Sequence, residues 1–450
     1  MRKTILSFKL LILVTFSVSL YGQTFNLKQC VDYAIEHSSQ IKISEYEKEV
    51  ASKKVNETIG SGLPQVDGSA SYTNNIKLST IMMPGDFFGQ PGILVPLKMG
   101  SKLNSTASII VRQRIIDPMF WVSLGLAKTS NNYSKHNLRN ATEKTIYNIG
   151  KIYIQTIIVK KQLNTLISTE KLSANLLAST ELRYKNGLAR KIDVDKIKVS
   201  HNNLITAVQQ TELGYKQIIN NLKYLIGMSQ ENELDIVEIE NFPEFDTYEV
   251  IKGKENFFED RVDYQLLKIS LDLQKAERNL YVSQYIPSLS LTYSYGYQAQ
   301  TNFFDDLKDS KNWFASSSIG LSLNVPIFSS FQRWFRVSQA NTNIKKVKEG
   351  IATSIEAMKV EVKNYGSQYI NAFENMKNEK ENLNLAEEVY KSVQLDYEQG
   401  RASALDIIQA ETSYTESQNN YYDKLLTLYL ARLDIEQSKG NVINFINNLK

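Results

Sequence analysis

Cysteine is all but absent from this 450-residue chain: Cys30 stands alone, so no disulfide can close within it. Histidine is nearly as scarce. His37, His136 and His201 lie far apart without metal-ligand spacing, no His-Glu-x-x-His occurs, and no Gly-rich loop ends in Gly-Lys-Ser/Thr. Gly60-Ser61-Gly62 precedes an alternating stretch, so it reads as a helix stop rather than a nucleophile elbow. No catalytic constellation, metal site or cofactor is expected, and the chain does not read as an enzyme. Proline is missing from residues 119–242 and 327–450, which leaves both stretches free to form very long helices. No apolar run beyond residue 20 is long enough for a membrane-spanning helix.

The N-terminus reads as a leader rather than as part of the fold. Arg2, Lys3 and Lys9 precede an apolar run from residue 10 to residue 20, ending in small or neutral residues, so residues 1–22 are expected to be a cleaved signal peptide. The net charge of +4 falls to +1 without those three cations, which removes any case for nucleic acid. Leu27-Lys28-Gln29 before Cys30 is not the small-residue run of a lipoprotein cleavage site.

What is present is alternation. In residues 289–297, Leu289, Leu291, Tyr293 and Tyr295 share one strand face while Ser, Thr and Gly occupy the other. Ile319, Leu321, Leu323 and Val325 repeat the pattern in residues 319–327. About 9–11 tilted residues are what a bilayer asks of a transmembrane β-strand. These eight side chains are the expected lipid-facing set, with a wet lumen on the other face. Weaker alternation marks residues 63–75 and 104–116, and the Gly- and Pro-rich stretch from Lys77 to Gly100 between them reads as a surface loop.

Long helices follow each strand pair. From Ile351 through Ile355, Met358, Val362, Tyr365, Tyr369, Ala372 and Met376, then from Leu383 through Ala386, Tyr390 and Val393 to Tyr397, apolar residues recur at gaps of four and three. Only Glu379 interrupts this heptad seam, which predicts coiled-coil packing. A helix over residues 330–399 would run about 100 Å at 1.5 Å per residue. Gly187 and Gly400 close the long helices, and Tyr184, Gly187, Asp193 and Gly227 match Tyr397, Gly400, Asp406 and Gly440 at a constant offset of 213. Leu63-Pro64 and Tyr72 match Ile286-Pro287 and Tyr295 at an offset of 223. The chain therefore reads as an internal duplication.

The expected organisation is a first repeat over 23–227, with strands at about 63–75 and 104–116 and helices over 118–186 and 188–227. A second repeat spans 261–440, with strands at about 287–298 and 315–328 and helices over 330–399 and 401–439. Residues 228–260, with eleven acidic side chains, form a small acidic segment between them, and 441–450 a tail. The fold class is an α+β membrane protein. Four strands cannot close a barrel, and an open edge in lipid leaves backbone groups unpaired at several kcal/mol each. Several copies must share one barrel. Eight strands would be filled by side chains, so three or more copies are needed for a conduit.

The leader, the duplicated halves, the proline before each repeat's first strand and the Tyr-x-x-Gly-x5-Asp turn together resemble the TolC-like outer-membrane efflux proteins. The resemblance covers essentially the whole chain after residue 22. It implies a homotrimer with a twelve-stranded barrel in outer-membrane lipid and an α-helical tunnel through the periplasm. It also implies a periplasmic adaptor (membrane-fusion) protein as partner and, indirectly, an inner-membrane pump. By that likeness Tyr397, Arg401 and Asp406 form a constriction at the helix tips, although the family's second acidic position falls at Gln409 and the basic residue stands one place early. Tyr184, Gly187, Leu188, Asp193 and Gly400 form turns that an adaptor contacts. The function expected is passive conduction in efflux or type I secretion. The alternative is a periplasmic coiled-coil protein bridging envelope layers without a pore.

Overall fold

The computed structural model describes residues 23–239 and 257–449. The expected leader and most of the acidic segment lie outside the described residues. The chain divides into two compact units, a helical one (through Ser44, Leu138–Val262 and from Ile355) and a sheet-bearing one (Glu45–Asn137 and Asp263–Ser354). Among the described residues no helix is long and apolar enough to cross a membrane.

The sheet unit is built on four antiparallel strands, β2 (Gln65–Asn74), β5 (Leu103–Ile116), β7 (Ser288–Thr301) and β8 (Phe314–Asn324), paired in that order. Its register sorts side chains by polarity. Val66, Val111, Tyr293 and Ile319 form one row across all four strands, and Leu291 faces Leu321 as Leu289 faces Leu323. On the opposite face, Ser69, Ser108, Gly296 and Ser316 form a row. There the Ser69 and Ser108 hydroxyls are hydrogen-bonded at 2.9 Å, Ser71 and Thr106 at 2.7 Å, and Arg112 pairs with Asp67. The alternation of β5 is untidy because a bulge between Arg114 and Ile116 shifts the register, which brings Ile116 opposite Leu289. Strand β8 stops at Asn324, so Val325, expected among the lipid-facing set, lies just past the strand; Pro326 cannot donate to a ladder. Strands β2 and β8 carry open edges.

The stretch expected to be a plain loop instead forms a hairpin, β3 (Ser79–Pro84) with β4 (Leu94–Met99). Ile81 faces Leu97 and Met83 faces Val95, and a turn closed by Gly85 N–H to the Ile93 carbonyl at 2.8 Å supports the pair. Gly85 is required there, since an added Cβ would fall 2.0 Å from the Gln90 carbonyl oxygen.

Four long helices dominate the rest: α3 (Pro118–Lys185), α4 (Lys191–Ile226), α6 (Gln332–Glu398) and α7 (Ala404–Ser438). Helix α6 begins after Ser330 and Phe331, both at positive φ (46° and 62°), a conformation that costs an L-residue energy. Every seam position of α6 from Ile355 to Tyr397 is buried or half-buried. Within the helical unit, Tyr369 and Ala372 pack against Leu428, Ala431 and Ile435 of α7, and Tyr390 and Tyr397 join Leu176, Ile197 and Ile407. A third cluster gathers α1 (Leu27–His37) with α3, α4 and α7 around Ile149, Tyr153, Leu222 and Leu433.

Two short elements differ from expectation. The tail holds a helix, α8 (Val442–Asn448), because Val442, Phe445 and Ile446 recur at helical spacing and bury in that third cluster. At the start of the acidic segment, β6 (Leu234–Ile236) pairs in parallel with β1 (Gln23–Phe25). The buried Tyr153 hydroxyl lies 2.6 Å from the Val237 carbonyl and 3.1 Å from that of Phe25, tying the two ends together. Cys30 sits fully buried in α1, and desolvation pushes its thiol up to about 12. Helix α2 (Ser39–Gly60) and α5 (Val262–Ser283) lead into β2 and β7.

Candidate functional site

The two turns that close the long helices are built alike. Gly187 and Gly400 both sit at φ 74°, the left-handed conformation that lets the chain reverse. In each, the glycine N–H reaches back to a tyrosine carbonyl, Tyr184 at 2.9 Å or Tyr397 at 3.0 Å. The next N–H reaches a carbonyl five residues earlier: Leu188 to Arg183 at 2.8 Å, Arg401 to Asp396 at 2.7 Å. These are the paired bonds that satisfy the last carbonyls of a helix.

The side chains at the two turns do different work. Tyr397 is buried, its hydroxyl 3.2 Å from Thr180 of α3. Arg183 stands with its guanidinium 5.4 Å from the centre of the Tyr397 ring and donates to the Tyr397 carbonyl at 2.8 Å and to that of Glu398 at 3.4 Å. Arg183 therefore clasps the end of α6 to the end of α3, combining cation–π contact with charge-assisted hydrogen bonds. Arg401 instead pairs within its own turn, with Asp396 at 2.6 Å. Arg183 and Asp396 stand at equivalent positions of the two repeats, as do Leu188 and Arg401. One turn is thus pinned across helices and the other internally.

Asp406 and Asp193 stabilise the helices that follow. The Asp406 carboxylate accepts from the Ser403 N–H at 2.8 Å and the Ser403 hydroxyl at 2.7 Å, while the Asp406 N–H donates back to that hydroxyl at 3.3 Å. This reciprocal capping box holds the Asp406 carboxyl below its ordinary range, chiefly through the Ser403 N–H. Asp193 takes two 2.9 Å bonds from the Arg190 guanidinium, which lowers its pKa and raises that of Arg190. Both carboxylates are anionic at neutral pH and engaged locally. Around them Tyr184, Leu188, Leu182, Ile192 and Leu405 are exposed apolar side chains, Leu188 at 71%.

Arg183, Thr180, Asp396 and Ser403 were not singled out by sequence reasoning. The offset of 213 that aligns the tyrosines also aligns Arg183 with Asp396, and that charge reversal was the available signal. Above the turns, polar pairs cross between helices: Ser200 to Glu411 at 2.7 Å, Thr165 to Tyr422 at 2.8 Å and Gln162 to Asn419 at 2.8 Å. No group of three or more potential metal ligands occurs among the described residues.

Residues 260–441 match the family model described as "Outer membrane efflux protein". Among curated proteins, the outer membrane protein TolC of Salmonella enteritidis is 19% identical over 434 residues, covering 94% of this chain and 84% of that protein. Among solved structures, the CmeC outer membrane channel of Campylobacter jejuni superposes with a TM-score of 0.73 at 16% identity, over 92% of this chain and 86% of that one. The outer membrane protein VceC of Vibrio cholerae does so with a TM-score of 0.70 at 15% identity, over 92% and 96%.

Proposed function

We propose, for a chain that is a TolC-like outer-membrane efflux protein and not an enzyme, that three copies form a passive duct. Substrates handed over by an inner-membrane pump and a periplasmic adaptor pass through it to the outside, in efflux or type I secretion. The observation that carries this reading is the sheet. It is apolar on one face, polar on the other, and open at both the β2 and the β8 edge. In lipid such edges cost several kcal/mol per unpaired backbone group, and only closure removes them. With β8 of one copy beside β2 of the next, three chains give a twelve-stranded barrel, wide enough for a lumen. Leu289, Leu291, Tyr293, Tyr295, Ile319, Leu321 and Leu323 then meet lipid, while the serine and threonine rows meet water.

The helix turns are the proposed periplasmic end. Arg183 with Tyr397 and Thr180 is the clasp that holds the end closed, Asp406 keeps its helix capped, and Asp193 pairs with Arg190 in the first turn of its own. The exposed apolar side chains Tyr184, Leu188 and Leu405 are the proposed adaptor contacts. A periplasmic rod without a pore has no use for a two-faced sheet of four strands.

Light scattering on a sizing column, corrected for detergent, tests the assembly in protein extracted from outer membranes. Three times the mass of the mature chain is expected. A folded monomer would remove the shared barrel and the duct with it.

A further inference from the structure

At the helix-proximal end of the sheet, within the sheet unit, lies a cleft of about 420 Å3 whose polar lining includes Ser288, Asn324, Gln284, Gln332, Arg333, Arg336 and Asp117. Ser288 and Asn324 are direct partners across β7 and β8 and belong to the polar face; their apolar-face neighbours Leu289 and Leu323 are not in the lining. The cleft therefore opens on the side that the channel reading assigns to the lumen.

Its charge is one-sided. Neither Arg333 nor Arg336 makes an ion pair among the described residues. Arg333 lies 6.0 Å from the centre of the Tyr285 ring. The carboxylate in the lining is already paired. Asp117 pairs with Arg114 at 3.2 Å and accepts from the N–H groups of Met119 at 3.1 Å and Phe120 at 3.2 Å. Glu277, outside the lining, accepts the Tyr281 hydroxyl at 3.1 Å and makes no ion pair with either arginine. Arg114 and Arg112, opposite Ser290 and Thr292, share the polar face, and Arg112 is matched by Asp67. Two guanidiniums are thus left uncompensated. They also stand at the start of α6, where the helix dipole is positive and the first turn holds no acidic residue. Cations there are disfavoured, and an anion is what that end of a helix attracts. Amides and hydroxyls of Gln284, Gln332 and Ser288 line the same space and supply donors.

We infer that this cleft is an anion-binding station in the conduit, and that the duct favours cargo carrying a carboxylate, sulfonate or phosphate group. The inference rests on the channel reading and adds a substrate class to it. In a threefold assembly three clefts place six unmatched guanidiniums around the inner end of the barrel, where low-dielectric walls focus the field on passing ions. At the helix turns Asp193 is matched by Arg190, whereas Asp406 keeps its charge beside the neutral Ser403.

The test is ion selectivity of the intact trimer in planar bilayers under a KCl gradient. The wild type should pass chloride in preference to potassium. The R333Q/R336Q variant should lose most of that preference, because the charge that concentrates the counter-ion in the cleft is gone, and R333K/R336K should keep most of it. Millimolar inorganic phosphate should slow chloride current in the wild type and much less in R333Q/R336Q. Conducting trimers whose selectivity is the same in all three proteins would overturn the inference and leave the duct standing. Well-formed trimers that never conduct, even with the clasp opened by Arg183→Ala, would instead count against the duct itself. If R333Q/R336Q does not assemble, phosphate block of the wild type decides: block supports the station, and no block overturns it.

Discussion

Arg183 shows what one side chain does at the helix turns. Its two carbonyl contacts and its place over the Tyr397 ring join the Thr180–Tyr397 bond in linking the first half of the chain to the second. A charge-assisted hydrogen bond is worth about 1.5–3 kcal/mol, so Arg183→Ala should loosen the proposed closed end. Higher resting conductance and greater sensitivity of cells to large antibiotics are expected, with Arg183→Lys in between. Unchanged conductance would show that closure is held elsewhere. The two aspartates predict a pH response. Asp406 and Asp193 titrate below the ordinary carboxyl value in the folded state. Their contribution is therefore fully present above an unfolded pKa of about 3.9, and it is lost as pH falls through the lowered folded value. Hydrogen-exchange protection of the turns around Gly187 and Gly400, taken relative to the intrinsic rate at each pH, should stay flat from pH 8 to about pH 5 and fall only below about pH 4. A fall near pH 6 would point to another titrating group.

At the scale of the elements, the sheet makes a prediction with its own control. Leu321 and Ser322 are neighbours in β8, and the register sends them to opposite faces, toward Leu291 and Ser290. A lysine on the lipid face costs about 2–4 kcal/mol near mid-bilayer, and far less in a wet lumen. Leu321→Lys should therefore block insertion, while Ser322→Lys inserts and only alters conductance; equal yields of both in outer-membrane fractions would reject the assignment of faces. The strands and long helices were legible because their causes are local. A period of two in 289–297, a heptad seam from Ile355 to Tyr397 and the gaps between prolines need no tertiary knowledge. The β3–β4 hairpin was missed because Gly and Pro dominate a stretch whose pairing of Ile81 with Leu97 is only two residues deep on that face. Pairing of Gln23 with Leu234 leaves no local pattern, being three residues long and 211 apart in sequence. The clasp left no local pattern either, only the reversal of Arg183 to Asp396 between the repeats. A seam position told that Tyr397 is buried, but nothing near it in sequence names Arg183 as the residue that holds it.

For the whole molecule, the open edges set the terms of stability. In one chain the outer backbone groups of β2 and β8 have no strand partner, and an isolated four-stranded sheet with an apolar face has nothing to cover it. If pairing between copies supplies both, the sheet and the assembly are a single cooperative unit. Stability then depends on protomer concentration, because anything that binds only the folded form shifts its apparent stability by mass action. The long helices are less dependent on assembly, since Tyr369, Tyr390 and Tyr397 are already buried by packing within one chain. Heating in mild detergent should therefore show loss of the strand signal in circular dichroism coinciding with the trimer band disappearing on semi-native gels. Diluting the protein should lower that midpoint, while helix signal persists to higher temperature. A sheet that survives in monomers after the trimer band is gone would mean that the edges close within one chain, and the shared barrel would have to be abandoned.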